Sequence, residues 1–275
     1  MDYLVPIDLE DAIEMRSGGL TVLAGGTDVY PAHVGRPMGP VVDISGLSEL
    51  RGIAETTEGY RIGALTRWAD VVAASLPSGF DGLRAAAREV GSVQVQAAGT
   101  VGGNLCNASP AADGVPPLLT LDASVELASV SGTRVLALEE FITGYRQTAL
   151  APDELLTAVL IQHTMTEARA AFSKLGLRRY LVISIVMVAA TMAVDGDGHI
   201  QRARVAVGAC SPVAQRLPDL EASLVGRLVG EDLGALALPE HLSALAPIDD
   251  VRASADYRRD AALTLVRRTL ASCAS

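Results

Sequence analysis

The N-terminal part of the chain alternates between short apolar runs and glycine-rich or polar turns. Residues 20–24 and 155–161 are largely apolar runs of strand length, and residues 60–64 alternate between polar and apolar positions. Each of these segments predicts a strand. Residues 125–128 and 135–138 flank a Ser-Gly-Thr turn, which predicts a hairpin.

Helices are predicted between these strands by apolar spacing and by capping residues. Leu83, Ala86, Ala87 and Val90 recur on one helical face, and Gly91 follows as a stop signal. Thr66 is a candidate N-cap for a helix through Val71 and Val72. Residues 9–15 form a shorter helical pattern that is expected to end at Ser17-Gly18-Gly19.

The C-terminal part begins with basic residues and then carries the longest apolar run. That run, residues 181–194, has fourteen residues, fewer than the roughly 20 that a membrane-spanning helix needs. It predicts a long buried strand, which returns along residues 200–209 through an Asp-Gly-Asp-Gly turn. Helices are expected at residues 217–228 and 236–245. Ser254 should cap a final helix that buries Ala262, Leu265, Val266 and Leu270.

Composition narrows the class of protein. The chain has 275 residues, of which 49% are hydrophobic, and a net charge of −10. The chain can therefore bury a large hydrophobic core. Its net negative charge disfavours the binding of nucleic acid. The three cysteines are Cys106, Cys210 and Cys273, with no C-x-x-C pair, so an iron–sulfur or zinc site within this chain is not expected. The N-terminus lacks the basic segment of a signal peptide, and we expect a cytoplasmic protein.

The first glycine pair follows the strand predicted at residues 20–24. Ala24, Gly25, Gly26, Thr27 and Asp28 make a strand, two glycines and a helix start. The free N–H groups at such a helix start can bind phosphate. Asp28 is expected to cap the helix, since its charge would repel a phosphate. The alternative is a plain strand-to-helix turn without a ligand.

The second glycine pair lies in a polar stretch from Thr100 to Asp113. Two glycines, two asparagines, a serine and an aspartate occur there within fourteen positions. Glycine lets a backbone approach a ligand closely, and short polar side chains favour turns. We expect a loop that wraps a polar cofactor, with a turn-rich connection as the alternative.

Several familiar sites are missing from the sequence. There is no G-x-G-x-x-G, no G-x-x-x-x-G-K-[ST] and no G-x-S-x-G, so neither a Rossmann site, a P-loop nor a nucleophile elbow is present. The four histidines are scattered without ligand spacing. Trp68 is expected in the core. Arg258-Arg259 and Arg267-Arg268 are expected on a solvated face of the last helix, with a docking face as the alternative.

The motifs and their order along the chain resemble those of the FAD-binding medium subunit of the molybdenum hydroxylases. This is the family of the carbon monoxide dehydrogenase and xanthine dehydrogenase type. The two glycine segments carry the resemblance, together with residues 62–66, 172–176 and 250–259. It implies an α+β fold: a two-part FAD-binding domain of the vanillyl-alcohol oxidase type, then a smaller α+β domain. The implied bounds are residues 1–164, with subdomains of about 1–54 and 55–164, and residues 165–275.

The resemblance also implies which residues bind FAD. The pyrophosphate of FAD would lie between the two glycine segments. Lys174 would lie near the polar edge of the flavin. Leu155 would line the adenine or the flavin, Asn107 and Asp113 would hold FAD hydroxyls, and Tyr180 or Ile183 would shield the ring. The implied cofactor-binding residues are Ala24, Gly25, Gly26, Thr27, Asp28, Thr100, Gly102, Gly103, Asn104, Asn107, Asp113, Leu155, Lys174 and Ile183. Neither a catalytic acid or base nor a metal ligand is implied.

The implied function is electron transfer. Non-covalent FAD would take electrons from two [2Fe–2S] clusters on a small subunit, and a large subunit would hold molybdopterin, in a dimer of heterotrimers. Residues 178–183 lack the acidic pattern of relatives that use NAD, so the external acceptor is left open. The alternatives are a stand-alone FAD-dependent oxidoreductase and a non-catalytic binding protein.

Overall fold

The computed structural model describes residues 3–16, 19–179 and 181–275. The first region is a small parallel sheet with strand order β1-β3-β2. Its elements are β1 (Tyr3–Leu4), α1 (Leu9–Arg16), β2 (Thr21–Leu23), the one-turn helix α2 (Val29–Ala32) and β3 (Val41–Asp43). The predicted stop at Ser17-Gly18 lies outside the described residues. A small core of Ala12, Val42, Ile44 and Leu50 joins α1 to this sheet.

The second region is built on a five-stranded antiparallel sheet, in the order β4-β5-β10-β6-β7. Its strands are β4 (Ile53–Glu55), β5 (Gly59–Gly63), β6 (Ser124–Ser129), β7 (Gly132–Ala137), β8 (Ile142–Gly144), β9 (Gln147–Thr148) and β10 (Leu155–Gln162), with β8 and β9 forming a separate pair. Its helices are α3 (Trp68–Ala73), α4 (Asp81–Glu89), α5 (Val93–Ala98), α6 (Val101–Asn107), α7 (Val115–Thr120) and α8 (Leu138–Phe141). The predicted hairpin and the strand at residues 155–161 are confirmed.

The third region is a four-stranded antiparallel sheet covered by a long helix. Its elements are β11 (Arg169–Leu175), β12 (Val186–Val194), β13 (Ile200–Gly208), β14 (Gln215–Arg216), α9 (Pro218–Leu224) and α10 (Ala255–Ala274). Ser254 caps α10, because its hydroxyl accepts a hydrogen bond from the N–H of Tyr257. Ala262, Val266 and Leu270 are fully buried against the sheet, as the helical spacing predicts.

Four predictions were wrong: three on the third region and one on α3. The long strand begins at Val186, not at residue 181, and residues 236–245 form short 3₁₀ turns instead of an α-helix. Arg258 is buried, with 3% of its surface exposed, because its guanidinium donates to the carbonyls of Ile185 and Ala209. Thr66 does not cap α3: its hydroxyl donates to the carbonyl of Gly52, and Arg67 occupies the cap position.

The second and third regions share a buried interface. Helix α7 is buried along its whole length and packs on β12 and β13, where the hydroxyl of Thr191 donates to that of Thr120 over 2.9 Å. Asp122 at the end of α7 accepts hydrogen bonds from Arg204 and Arg216 of the third region. The two regions therefore contact each other directly around the segment that leads into α7.

Candidate cofactor site

The first glycine segment contains four backbone donors that have no partner among the described residues. Within the described part of the chain, the N–H groups of Gly25, Gly26, Thr27 and Asp28 donate to no acceptor. A Cβ on Gly25 would lie 2.1 Å from the carbonyl oxygen of Ala98. The segment therefore bends against α5, and only glycine fits at its tightest point. Successive free N–H groups of this kind form an anion-binding concavity.

The expected cap on the following helix was wrong. Asp28 stands at the N-cap position of α2, but its side chain makes no capping hydrogen bond. The helix itself has four residues, so its dipole contributes little to anion binding. The free donors of the glycine segment, rather than a helix terminus, supply the positive potential here.

The second glycine segment is the start of a helix and not the wrapping loop expected from its composition. Thr100 is the N-cap of α6, and its Oγ1 accepts a hydrogen bond of 3.1 Å from the N–H of Gly103. The N–H of Gly102 donates to the carbonyl of Ala64, and that of Asn104 to the carbonyl of Thr100. These donors are already satisfied inside the protein, in contrast to those of the first segment.

Gly102 is needed for packing. A Cβ at this position would lie 2.8 Å from both the Cβ and the carbonyl oxygen of Ala64. Without a side chain, α6 can lie directly on the end of β5, and this contact brings α6 opposite the first glycine segment. The two glycine pairs thus differ in role: the first presents free donors and the second permits close approach of backbone segments.

A cavity of about 490 Å³ lies between the two glycine segments. Ten of the fourteen residues implied by the resemblance line it: Ala24, Gly25, Gly26, Thr27, Asp28, Thr100, Gly102, Gly103, Asn107 and Leu155. Its other walls include the apolar side chains of Val22, Ile44, Leu150 and Leu156. A polar rim of free donors beside an apolar wall suits a ligand with both a phosphate and a ring system.

Four of the implied residues lie away from this cavity. Asp113 and Lys174 form a buried ion pair of 2.6 Å, and the hydroxyl of Ser184 donates to the other carboxylate oxygen over 2.6 Å. Burial raises the pKa of Asp113, while the Lys174 ammonium and the two hydrogen bonds act in the opposite direction. The side chain of Asn104, in α6, lies close to Gly114. Its buried Oδ1 has no hydrogen-bond partner among the described residues.

Ile183 lines a second cavity, of about 420 Å³, at the boundary between the second and third regions. Ser109, Ala111, Tyr145 and Arg146 form part of the same wall. Arg146 also donates a hydrogen bond to Asn107, which lines the first cavity. The two cavities therefore lie on either side of the segment that leaves α6. Tyr180, the other residue expected to shield a flavin, lies outside the described residues.

Besides Thr21 of β2, two polar residues of the first cavity were missed by sequence reasoning. Arg16 and Cys106 both line it. Arg16 is the last residue of α1, where a basic side chain is ordinarily explained by the helix dipole. Cys106 is a lone cysteine inside α6. Neither position carries a local signal, because each reaches the cavity only through the packing of α1 and α6 around the glycine segments.

The residues present fit FAD. The free donors suit a diphosphate, and the apolar wall beside Leu155 suits a ring. No helix in the described part of the chain is long and apolar enough to cross a membrane.

Comparison with known proteins identifies the family. Residues 1–162 match the FAD binding domain in molybdopterin dehydrogenase, and residues 170–273 match the CO dehydrogenase flavoprotein C-terminal domain. The nicotinate dehydrogenase FAD-subunit of Eubacterium barkeri is 33% identical over 94% of this chain and 91% of its own length. The xanthine dehydrogenase FAD-binding subunit of Escherichia coli O157:H7 is 30% identical over 95% and 92%.

The fold agrees with these matches. The solved structure of reconstituted CO dehydrogenase from Oligotropha carboxidovorans superimposes with a TM-score of 0.90 at 26% identity, covering 100% of this chain and 97% of that one. The implied α+β fold, with an FAD-binding domain followed by a C-terminal domain, is confirmed. The chain belongs to the family of FAD-binding medium subunits of the molybdenum hydroxylases, the oxidoreductases that include carbon monoxide dehydrogenase and xanthine dehydrogenase.

Proposed function

We propose that this chain passes electrons from [2Fe–2S] clusters on a small partner subunit through FAD to an external acceptor. The oxidation of the substrate would take place on a large subunit that holds molybdopterin. We further propose a cytoplasmic dimer of heterotrimers. The family supports an FAD-carrying oxidoreductase subunit; the route of the electrons and the stoichiometry belong to the proposal.

The observation that carries the proposal is the row of N–H groups from Gly25 to Asp28, which have no hydrogen-bond partner among the described residues and belong to residues that line the first cavity. We place the pyrophosphate on these donors and the adenosine half against the apolar wall beside Leu155. Asn107 lies where it can bond a hydroxyl of the cofactor. The flavin would extend past Asn107 toward the second cavity, which Ile183 lines.

Asp113 and Lys174 would act at the flavin end. Both carboxylate oxygens of Asp113 accept a hydrogen bond, one from Lys174 and one from Ser184, and each retains a second lone pair for a cofactor hydroxyl. When bound, FAD supplies a centre that accepts electrons singly and releases them in pairs. The role of this chain is to hold FAD in place.

The small number of cysteines supports the proposal that the [2Fe–2S] clusters lie on a separate chain. Each [2Fe–2S] cluster is held by about four thiolates, whereas this chain has three cysteines in all. Cys210 and Cys273 are buried in the core of the third region. A cluster donating electrons to this FAD would therefore belong to a partner.

The electron path can be tested without knowing the substrate. The co-expressed complex is reduced anaerobically with dithionite, the excess dithionite is removed, and candidate acceptors such as NAD⁺ and a quinone are added without oxygen. The flavin-containing complex should be reoxidised by at least one acceptor. After removal of FAD, the clusters should stay reduced with that same acceptor. Equal reoxidation without FAD would contradict the proposed path, and full turnover by this chain alone would favour a stand-alone oxidoreductase.

A further inference from the structure

We propose that Arg16 binds the diphosphate of FAD and provides the positive charge of the first cavity. The inference rests on the proposed function, because it takes FAD to be the occupant. Arg16 ends α1 and lines the cavity together with Gly25, Gly26 and Thr27. The resemblance implied a different basic residue, Lys174, at the polar edge of the flavin and no cation at the diphosphate.

The guanidinium of Arg16 is anchored by carbonyl groups and not by a carboxylate. Its Nε donates to the carbonyl of Glu154 over 3.3 Å, and its Nη1 donates to the carbonyl of Leu20. Among the described residues, no acidic group lies within 4.0 Å of its nitrogens. The side chain is thus positioned, and no described carboxylate pairs with its charge.

The acceptor for Arg16 is itself held in place. The carboxylate of Glu154 accepts two hydrogen bonds from Arg134, at 2.6 and 2.9 Å, and one of 2.8 Å from the N–H of Ala151. These bonds fix the residue that precedes Leu155 at the start of β10. The carbonyl of Glu154 therefore sets the position of the Arg16 guanidinium beside the apolar wall of the cavity.

The charges around the cavity favour a cation at this position. A diphosphate carries about one negative charge per phosphate, and the backbone donors of residues 25–28 supply dipoles without net charge. Asp28, at the same rim, adds a negative charge. Lys174 cannot offset these charges, because it is paired with Asp113 outside this cavity. Arg16 is the one Lys or Arg among the described residues that line the cavity, and a guanidinium binds phosphate through paired donors.

The test compares Arg16→Gln and Arg16→Lys with Arg51→Gln, a matched control. Arg51 belongs to the same N-terminal region and also donates to a carbonyl, that of Ser45, but it does not line the cavity. Each variant is purified in its complex, FAD is removed, and the Kd values of FAD, ADP and riboflavin are measured at low and high salt. Thermal melting without ligand reports the fold.

Arg16→Gln should raise the Kd values of FAD and ADP by about tenfold. This is a typical loss of affinity for one hydrogen bond to a charged group. It should leave riboflavin unchanged and reduce the salt dependence of ADP binding. Arg16→Lys should keep most of that salt dependence, and Arg51→Gln should match the wild type. Unchanged ADP binding in Arg16→Gln, or an equal loss for riboflavin, would overturn the inference. Failure of the wild type to bind either FAD or ADP would instead overturn the proposed function.

Discussion

Lys174 and Asp113 are joined by an ion pair of 2.6 Å between Nζ and Oδ2, and only 6 and 8% of their side chains are exposed. Asp113 precedes α7 in the second region, whereas Lys174 lies in β11 of the third. Ser184, from the third region, donates to the same carboxylate. This cluster joins the second and third regions. Because the proposed function places the flavin end of FAD at this cluster, we expect cofactor binding and the contact between the regions to depend on each other.

Breaking this pair should destabilise the protein. In Asp113→Asn or Lys174→Met, one buried charge would lose its partner, at a cost of about 3–5 kcal/mol in the free energy of unfolding. The double variant should lose less than the sum of the two. Denaturant unfolding of the FAD-free protein measures this coupling, and strictly additive losses would show that the two charges do not stabilise each other.

Gly25→Ala should impair FAD binding, because its Cβ would collide with the carbonyl oxygen of Ala98 and displace the free donors. We expect FAD affinity to fall about tenfold or more. Gly46→Ala is the matched control, since nothing lies within 4 Å of a Cβ there. Affinity and melting temperature are measured on both variants. Wild-type affinity in Gly25→Ala would show that this backbone does not hold the cofactor.

The cysteines provide a native test of the first cavity. Cys106 is exposed and lines the cavity, whereas Cys210 and Cys273 are buried in the core of the third region. Desolvation by the surrounding protein raises the pKa of the Cys106 thiol to about 12, so we expect its labelling to be slow and faster at alkaline pH. A thiol reagent should nevertheless label Cys106 in the FAD-free protein, because this residue is exposed, and bound FAD should slow that labelling. Mass spectrometry of labelled peptides measures all three thiols, and Cys210 and Cys273 serve as unreactive controls. Equal labelling of Cys106 with and without FAD would contradict the placement.

The ion pair of Asp250 with Arg258 should make stability depend on acid pH. Desolvation acts to raise the pKa of Asp250, but hydrogen bonds from Arg252 and Arg258 outweigh it and lower the pKa to about 2 from 3.8. Because the pKa is lower in the folded state, the stabilisation is complete above pH 3.8 and is lost as the pH falls through about 2.

Asp250→Asn should therefore lower the free energy of unfolding at neutral pH by about 1.5–3 kcal/mol, since the buried guanidinium of Arg258 would lose a charged partner. The difference from the wild type should shrink between pH 3.8 and 2. Chemical denaturation across this range measures it. A difference that stays constant with pH would exclude the carboxylate as its cause.

Much of the fold was predictable because the pattern is local. Strands such as β10 and the apolar face of α10 follow from periodicity, and Ser254 caps its helix as its position predicts. The second glycine segment failed as a loop prediction because its glycines and asparagines disfavour a helix. The cap from Thr100 and the contact of Gly102 with Ala64 outweigh that preference, and this contact joins residues that are distant in sequence.

The sequence predicted the glycine segments of the site but not the positions and partners of its charged side chains. Both glycine pairs meet at the first cavity, as the resemblance implies. The pairing of Lys174 with Asp113 spans 61 positions, and Arg16 reaches the cavity from a helix with no binding motif. Pairings of this kind arise from tertiary packing, which no single-sequence pattern records.

The central claim is that the free backbone donors of residues 25–28 hold the diphosphate of FAD, while the amides at the start of α6 are already satisfied. Amide hydrogen exchange of the complex, with and without FAD, tests it directly. FAD should slow exchange strongly at residues 25–28 and change it little at residues 101–104. Unchanged exchange at residues 25–28 on FAD binding would contradict the account.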